Sequence, residues 1–337
     1  GIRNSSARWV KKHSILIALA GQGKTRGMVA VNNIPLTTNQ SVAAIEPDKT
    51  LNYEFVFQNL SKRYDELRLI SSGDGSRGGL NKQIVSDISI ACPNVNEQEL
   101  IGNFLADFDS LITMNQHKLD KLKNLKKAYL SEMFPAEGKR VPKRRFPGFE
   151  GEWERQKWMD TVNISTEMVD PSSGEFDNML HIAPGNIESF TGRILDNIKT
   201  VKEEHLISGK FRFRAGDIVY GKINPQLGKY FFAKIDGLTS ADAYVLNGIN
   251  GTKQEFLYTI LQSKDFFNYS VSVSKRSGMP KINREELNDY SYWRPGEDEQ
   301  NKIGELFQII DTLQSLQQQK LDKLNDLKKA YLNELFV

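Results

Sequence analysis

The sequence contains a single cysteine, Cys92, among its 337 residues. One cysteine cannot form an internal disulfide, so a reducing cytoplasm is the expected compartment. No apolar run approaches the roughly 18 residues that a membrane-spanning helix needs, and the opening GIRNSSARWVKKHS lacks the apolar centre of a signal peptide. With 39% hydrophobic and 26% charged residues, the composition is typical of a globular chain of about two domains.

The residue patterns of common catalytic sites are also missing. The four histidines, His13, His117, His181 and His205, are scattered without the spacing of metal ligands. No G-x-S-x-G, H-E-x-x-H or strand-associated G-x-G-x-x-G motif occurs. The formal net charge of +3 permits an anionic partner without requiring one. We therefore predict no catalytic residue and no metal site, and favour a binding protein.

One stretch resembles a phosphate-binding loop. In SILIALAGQGKTRGMVAV, residues 14–31, a Gly-Lys-Thr follows a strand-like run. A phosphate loop needs another glycine where Ala18 stands, and it must open a helix. The residues after Gly27 are strand-like instead, so strand, glycine turn and strand is the favoured interpretation. A nucleotide-dependent enzyme that uses Gly21–Thr25 is the alternative.

The most informative feature is an internal repeat. EQELIGNFLADFDSLITMNQHKLDKLKNLKKAYLSEMF, from Glu97, recurs as EQNKIGELFQIIDTLQSLQQQKLDKLNDLKKAYLNELF from Glu299, 202 positions later. About half of the paired residues are identical, and KLDKL-x-x-LKKAYL is unchanged. Upstream, HSILIALAGQGKTRGMVAV aligns with GDIVYGKINPQLGKYFFAK, and both predict a β-hairpin. Self-similarity at a fixed period indicates one structural unit used twice.

The repeat divides the chain into five predicted segments. These are a first β-rich domain at 1–96, a long helix at 97–134, a linker at 135–152, a second β-rich domain at 153–298 and a second long helix at 299–337. The linker is rich in proline, glycine and charge. The counterpart of the residues from Arg145 onward would lie before Gly1, so we expect an N-terminally incomplete first domain.

Apolar residues recur at heptad spacing along both helices. With Ile101 and Ile303 at position a of the heptad, Leu111 and Leu313 stand at position d, and Leu105, Ile112 and Leu119 widen the stripe at position e. The predicted coiled-coil interface consists of Ile101, Phe108, Leu111, Leu122, Leu125, Tyr129, Ile303, Ile310, Leu313, Leu324, Leu327 and Tyr331. Asn115 and Gln317 interrupt the pattern at mid-length, and antiparallel pairing would bring them together. The pattern leaves open pairing within one chain or between two. It also leaves open a coiled-coil assembly scaffold that binds no DNA.

Basic and amide side chains lie beside glycines in corresponding loops of both domains. Lys and Arg neutralise phosphates, and Arg, Asn and Gln can hydrogen-bond to base edges. The predicted DNA-binding residues are Lys24, Arg26, Arg77, Asn81 and Lys82 in the first half, and Lys222, Asn224, Gln226, Lys229, Lys275, Arg276 and Lys281 in the second.

The duplicated KLDKL-x-x-LKKAYL, the Glu-Gln start of each helix, GDIVYGKI and the junction RFPGFEGEW at 145–153 resemble one known family. The chain is similar to the specificity (S) subunit of bacterial type I restriction–modification systems. The resemblance implies an α+β fold with two target-recognition domains joined by two long helices that form an antiparallel coiled coil. Each domain is then expected to read one half of a split double-stranded DNA target.

The resemblance also implies partners, and with them cofactors that this chain does not bind itself. Two modification subunits would dock on the chain, bind S-adenosylmethionine and methylate adenine N6. Restriction subunits would use ATP and Mg²⁺ to translocate and cut unmethylated DNA. The chain itself is expected to be a non-catalytic subunit that acts in the bacterial cytoplasm.

Overall fold

The computed structural model describes residues 7–21, 25–70, 80–275 and 278–336. The chain forms two compact units. One comprises residues 1–118 and 317–337, and the other comprises residues 119–316. Each unit therefore contains a module of strands and short helices together with a segment of both long helices.

The module of the first unit combines small antiparallel sheets with short helices. Its described strands are β1 Arg8–Val10, β2 Ile15–Ala18, β3 Val29–Val31, β4 Leu36–Thr38 and β5 Val42–Ile45. β1 pairs with β4, and a second sheet has the order β3-β2-β5. The helices that follow are α1 Tyr53–Lys62, α2 Tyr64–Ile70, α3 Lys82–Ser86 and the long helix α4 Val95–Glu132. Ile15 and Ile17 of β2 share a buried core with Phe55 and Leu60 of α1.

The predicted hairpin around the Gly-Lys-Thr stretch is confirmed. β2 and β3 pair antiparallel, with Ile15 opposite Val31. Residues 22–24, which include Lys24, lie outside the described residues. After Thr25 the chain turns at Gly27, where φ is +82°, and enters β3. A phosphate loop leads into a helix, so the nucleotide-enzyme alternative lacks the element that it requires.

The module of the second unit is larger. Its strands are β6 Glu154–Lys157, β7 Val162–Ile164, β8 Met168–Val169, β9 Leu180–His181, β10 Lys199–Thr200, β11 Lys210–Phe213, β12 Ile218–Gly221, β13 Tyr230–Phe232, β14 Gly237–Thr239, β15 Ala243–Gly248 and β16 Ser291–Arg294. They form sheets of order β10-β9-β14-β11-β8, β13-β12-β15-β7 and β16-β6. The helices are α5 Trp158–Thr161, α6 Gln254–Gln262, α7 Lys264–Val273, α8 Arg284–Asn288 and the long helix α9 Glu297–Leu335.

The sheet that contains β12 is covered on both faces. Ile218 and Tyr220 lie in the same core as Phe256 of α6. Val219, from the same strand, lies in a second core with Phe231 of β13. Burial on both faces explains why β12 is an uninterrupted apolar run rather than an alternating one. The hairpin formed by β12 and β13 is therefore firmly held where it projects its turn.

Each long helix is fastened to its module by the glutamine of the repeated Glu-Gln pair. Gln98 accepts a hydrogen bond from the Asn52 N–H (2.9 Å) and donates to the carbonyls of Pro93 and Thr50. Gln300 accepts from the Lys253 N–H (3.0 Å) and donates to the carbonyls of Pro295 and Gly251. Both buried amides thus satisfy backbone groups on either side of the helix start. The same pattern of hydrogen bonds occurs in both units.

The long helices pair antiparallel, as the fold prediction requires. In the first unit Gln317 of α9 donates to the Asn115 side-chain oxygen of α4 (2.8 Å), so the two polar residues meet as predicted. Further along, Lys328 pairs with Asp109. In the second unit Lys126 pairs with Asp311 at 2.6 Å. Asp311 and Lys328 are the repeat counterparts of Asp109 and Lys126, so both units use the same ion pair.

The buried seam of the helices differs from the predicted one. Four of the predicted interface leucines are 40–48% exposed: Leu111, Leu125, Leu313 and Leu327. The buried residues stand one position further along the heptad: Leu105, Leu119, Phe307 and Leu321. Each helix packs against its own module as well as against the other helix, and its inner face is formed by the a and e positions of the heptad rather than by a and d. The assignment of the four leucines to the interface is therefore wrong.

The remaining predicted interface residues lie at least partly inside. Ile303 and Ile310 are buried. The others are of intermediate exposure: Ile101, Phe108, Leu122, Tyr129, Leu324 and Tyr331. In the first unit the Tyr331 ring packs edge-on against Phe104 and tilted against Phe108, at centroid distances of 5.0 and 5.5 Å. Aromatic contacts therefore replace part of the expected leucine packing.

A repeated glycine allows each long helix to approach its module closely. A Cβ on Gly102 would lie 2.9 Å from the backbone nitrogen of Phe55. A Cβ on Gly304 would lie 2.5 Å from the Glu255 Cβ and 3.1 Å from the backbone nitrogen of Phe256. Backbone atoms cannot move aside as the end of a flexible side chain can, so neither site has room for a side chain.

We therefore expect Gly304→Ala to destabilise the protein by about 2 kcal/mol, the usual cost of overpacking, although alanine normally favours a helix. Urea denaturation measures the change. The matched control is Gly185→Ala, because Gly185 is exposed and a Cβ added there would have no atom within 4 Å. It should be neutral or slightly stabilising. Equal stability of both variants would show that the close approach is not required.

The ion pair of the second unit is more buried than its counterpart. The Asp311 side chain is 17% exposed, whereas Asp109 is 40% exposed. Burial raises the pKa of the Asp311 carboxyl above its usual value, and Lys126 only partly offsets this effect. A raised carboxyl pKa means that the folded state holds the proton more tightly than the unfolded state. The contribution of Asp311 to stability therefore falls as pH rises from its ordinary pKa through the raised one.

Lys126→Met should leave Asp311 buried without its cation and cost about 3 kcal/mol at pH 8. The loss should shrink as pH falls towards the ordinary carboxyl pKa, because Asp311 then becomes neutral. Urea denaturation at a series of pH values measures this dependence. The equivalent Lys328→Met, facing the more exposed Asp109, should cost less. A loss that does not change with pH would show that Asp311 is not ionised against Lys126 in the folded protein.

Candidate nucleic-acid interface

The turn between β12 and β13 carries four of the predicted DNA-binding residues. The two strands pair antiparallel with Tyr220 opposite Tyr230, and the turn occupies residues 222–229. Its centre is a single 3₁₀ turn at Pro225–Leu227, flanked by Asn224 and Gly228, both with positive φ. The Leu227 N–H donates to the Asn224 carbonyl (2.8 Å) and the Gly228 N–H to that of Pro225 (3.0 Å). These bonds give the turn a defined shape.

Two other loops join this turn through backbone hydrogen bonds. The Asn224 N–H donates to the Pro280 carbonyl (2.7 Å) and the Ile282 N–H to that of Lys222 (3.0 Å). On the other side, the Phe190 N–H donates to the Gly228 carbonyl (2.9 Å). We call residues 187–194, 222–229 and 278–282 the loop cluster. Segments far apart in sequence thereby form one continuous surface.

The 187–194 loop is itself closed at its base. The Glu188 N–H donates to the Arg193 carbonyl (2.8 Å), and the two side chains form an ion pair at 3.1 Å. Hydrogen bonding from Arg193 lowers the pKa of the Glu188 carboxyl, which therefore stays ionised at neutral pH. A Cβ on Gly192 would lie 2.0 Å from the Tyr258 hydroxyl oxygen. The loop therefore packs too closely on α6 to accept a side chain there.

Lys222 is held over an aromatic ring. Its ammonium lies 5.1 Å from the centroid of Tyr244, a distance suited to a cation–π contact. Burial raises the pKa of the Tyr244 hydroxyl, so the phenol remains neutral and donates to the Ile282 carbonyl (3.3 Å). Tyr244 thus connects the half-buried Lys222 to the 278–282 loop.

The predicted residues of the second half occupy different roles in the structure. Gln226 is exposed, and its amide donates to the Asn224 side-chain oxygen (3.3 Å), so two amides stand together at the tip of the turn. Lys275 and Lys281 are exposed. Lys229 differs, because its ammonium donates to the Ile187 carbonyl and braces the 187–194 loop. Arg276 lies outside the described residues.

The predicted DNA-binding residues of the first half that the structure describes lie in two separate segments, the β2–β3 turn and the start of α3. Arg26 lies in the β2–β3 turn, next to Gly27, which approaches Leu67 of α2. The Asn81 side chain caps α3 by accepting from the Ile84 N–H (2.9 Å), and Lys82 is exposed at the start of that helix. Lys24 and Arg77 lie outside the described residues.

Two residues that shape the loop cluster could not be found by sequence reasoning. Tyr244 and Phe190 belong to no motif, and only the three-dimensional contact with Lys222 or Gly228 reveals them. By contrast, Gly102 and Gly304 occupy equivalent positions of the helix repeat, so the sequence alone shows that this glycine is repeated. A glycine kept inside a long helix signals close packing.

Other site types find little support in the described ranges. No group of three or more His, Cys, Asp or Glu side chains there could hold a metal ion. None of the described helices combines the length and apolar character needed to cross a membrane.

The amino-acid sequence matches the family described as "Type I restriction modification DNA specificity domain" over residues 2–124 and 151–326. The EcoDI specificity subunit of Escherichia coli is 27% identical over 327 residues, covering 88% of this chain and 72% of the relative. The MjaVIII specificity subunit of Methanocaldococcus jannaschii is 22% identical over 333 residues, covering 95% and 77%.

The fold is similar to that of the type I restriction–modification S subunit from M. genitalium. The TM-score is 0.70 at 14% identity, covering 97% of this chain and 84% of that chain. A second structure, from work on complex assembly and conformational transition of the type I system, has a TM-score of 0.52 at 16% identity, covering 98% and 84%. These likenesses show the fold, with its two modules joined by two long helices.

If Lys275 and Lys281 contact phosphates, replacing both by alanine should weaken DNA binding and flatten its salt dependence. Each lost phosphate contact lowers the slope of log affinity against log salt by about 0.9. Fluorescence anisotropy with duplex DNA at several salt concentrations measures the slope. The matched control is Lys302→Ala, because Lys302 is an exposed lysine on the long helix α9, outside the loop cluster. It should leave the slope unchanged. An unchanged slope in the alanine variant would refute the phosphate contacts.

Proposed function

The chain belongs to the type I restriction–modification DNA specificity family, and from that premise we propose that it reads a split double-stranded DNA target. Specificity subunits recognise DNA and are not catalytic, because catalysis lies in partner subunits. In this proposal residues 1–96 form the domain for one half-site and residues 153–298 the domain for the other. The helices between them set the spacing of the two half-sites.

The loop cluster of the second module carries this proposal. The side chains of Asn224 and Gln226 stand together on a turn whose backbone is fixed on both sides. Amides in such a position can hydrogen-bond to the N6 and N7 atoms of adenine in the major groove. Lys222, Lys275 and Lys281 supply positive charge for the flanking phosphates. A fixed scaffold with exposed polar tips is the arrangement that base reading requires.

The equivalent residues of the first module are proposed by analogy of position. Arg26 and Lys24 belong to the hairpin turn that corresponds to the 222–229 turn, and Arg77, Asn81 and Lys82 belong to the segment that corresponds to residues 275–281. The corresponding loops carry different residue types, as we expect of two domains that read different half-sites.

Each unit also exposes a small apolar patch on its long helices. Leu111 and Met114 are 43% and 45% exposed, and their repeat counterparts Leu313 and Leu316 are 45% and 58% exposed. Contiguous exposed apolar surface is a feature of protein–protein contact sites. Two equivalent patches suit two copies of one partner, and we assign them to two modification subunits. Those subunits would bind S-adenosylmethionine and methylate adenine N6, and restriction subunits would add ATP- and Mg²⁺-dependent cleavage.

The experiment that tests the proposed function is methylation mapping. The chain is combined with its modification subunits and S-adenosylmethionine, and methylated adenines are located on random-sequence duplexes. Methylation in a motif of two separated half-sites supports the proposal. Methylation at one half-motif alone would restrict recognition to one module. Assembly with the partner but no sequence preference at low salt would favour a scaffold that does not read DNA.

The docking assignment predicts a change in stoichiometry. Leu313→Glu combined with Leu316→Glu should remove one of two bound modification subunits, because the equivalent patch in the other unit remains. Native mass spectrometry counts the subunits. Gln319→Glu, which adds a charge at an exposed position on the same helix, is the control and should retain both. Retention of two subunits by the double variant would contradict the assignment.

A further inference from the structure

Phe190 is an exposed aromatic residue in a strained backbone conformation. Its φ is +64°, and it is one of five non-glycine residues with positive φ in the described part of the chain. Asn224, in the same loop cluster, is another. This conformation is unfavourable for a bulky side chain, and such strain collects at functional sites. Phe190 is nevertheless 51% exposed, so its own burial only partly offsets the strain.

Hydrogen bonds on both sides hold the Phe190 backbone in place. Its N–H donates to the Gly228 carbonyl (2.9 Å), and its carbonyl accepts from the buried Tyr230 hydroxyl (3.1 Å). Both partners belong to the β12–β13 hairpin. The ring is therefore fixed to the same rigid element that positions Asn224 and Gln226, which fixes its location relative to those amides.

One side of the Phe190 ring is covered. A Cβ on Gly228 would lie 2.5 Å from the ring carbons Cδ1 and Cε1. The Phe267 ring of α7 packs edge-on with centroids 5.6 Å apart. A ring that inserts between base pairs needs both faces free, and Phe190 does not have them. Its open side can instead touch the edge of a base.

The surroundings of Phe190 combine apolar and polar groups. Leu227 and Met279, both within the loop cluster, are 44% and 64% exposed. Lys222 and the two amides lie on the same turn. The major groove presents one apolar group among its hydrogen-bonding atoms, the 5-methyl group of thymine. A fixed aromatic ring beside adenine-reading amides is suited to that methyl group.

We propose that Phe190 makes an apolar contact with the 5-methyl group of a thymine in the half-site read by the second module, and so contributes to specificity. This inference rests on the proposed function of that module. Phe190 acts here as a specificity-determining residue. Phosphate contacts position the DNA, the amides hydrogen-bond to adenine, and the ring distinguishes thymine from a pyrimidine without the methyl group.

The test replaces each thymine of the half-site in turn by deoxyuridine, which lacks only the methyl group. The complex with modification subunits is assayed by single-turnover methylation. One replacement should slow the wild-type reaction about fourfold, the effect of burying one methyl group. In Phe190→Ala that replacement should have no further effect, so the thymine-to-deoxyuridine ratio falls to about one. Phe190→Leu should keep part of the preference.

The control is Ile207→Ala, because Ile207 is 85% exposed and follows Leu206, which packs with the separate cluster of Phe176, Val201 and Leu238. It should retain the wild-type ratio. Thermal denaturation checks that each variant is folded. If Phe190→Ala does not fold, the thymine-to-deoxyuridine ratios of Phe190→Leu and of the wild type still test the contact.

Two results would overturn the proposal. One is a wild-type rate that is insensitive to every replacement. The other is an alanine variant that keeps the full ratio, whether its rate is unchanged or is lowered equally on both duplexes. Failure of the proposed function looks different, because the wild-type complex would then methylate no defined motif on either duplex.

Discussion

The close approach of each long helix to its module is the contact on which the rest of the structure depends. Gly102 and Gly304 allow backbone to meet backbone, and Gln98 and Gln300 satisfy the polar groups exposed at that junction. Once a helix is fixed there, it cannot turn about its own axis. The positions that face the other helix, the buried ion pairs and the outward apolar residues all follow from that orientation.

This constraint explains why the leucines at the d positions of the heptad, such as Leu111 and Leu313, are exposed to solvent. A helix that packs against both a module and another helix needs a broad buried face, and the a and e positions of the heptad form it. The d positions are then left to solvent or to a partner. Leu111 and Leu313 therefore look like core residues in the sequence and lie on the surface of the chain. Their exposure therefore follows from the orientation of the helices.

The loop cluster is likewise held in place by packing and by backbone hydrogen bonds. Burial of β12 on both faces fixes the hairpin, and backbone hydrogen bonds from Asn224 and Phe190 attach two further loops to its turn. The cost of the strained conformation at Phe190 is offset by this support. Polar and aromatic tips on a rigid base lose little conformational freedom on binding, which favours discrimination between similar sequences.

Much of the architecture could be predicted from the sequence, because a repeat and a helical period are local patterns. The duplicated helix, the hairpin at residues 14–31 and the meeting of Asn115 with Gln317 were all visible in this way. The exposure of the leucines at the d positions was not, because the inner face of each helix depends on a module whose packing no heptad encodes. The convergence of Asn224 with Pro280 and of Phe190 with Gly228 was also hidden, because contacts between distant segments leave no periodic signal.

Base reading by the loop cluster of the second module can be seen in a cryo-electron microscopy structure of the chain with its modification subunits on a methylatable duplex. We expect Asn224 and Gln226 to lie within hydrogen-bond distance of base edges in the major groove, with Lys222 near a phosphate. DNA lying against another surface of this unit, with the 222–229 turn facing solvent, would contradict it.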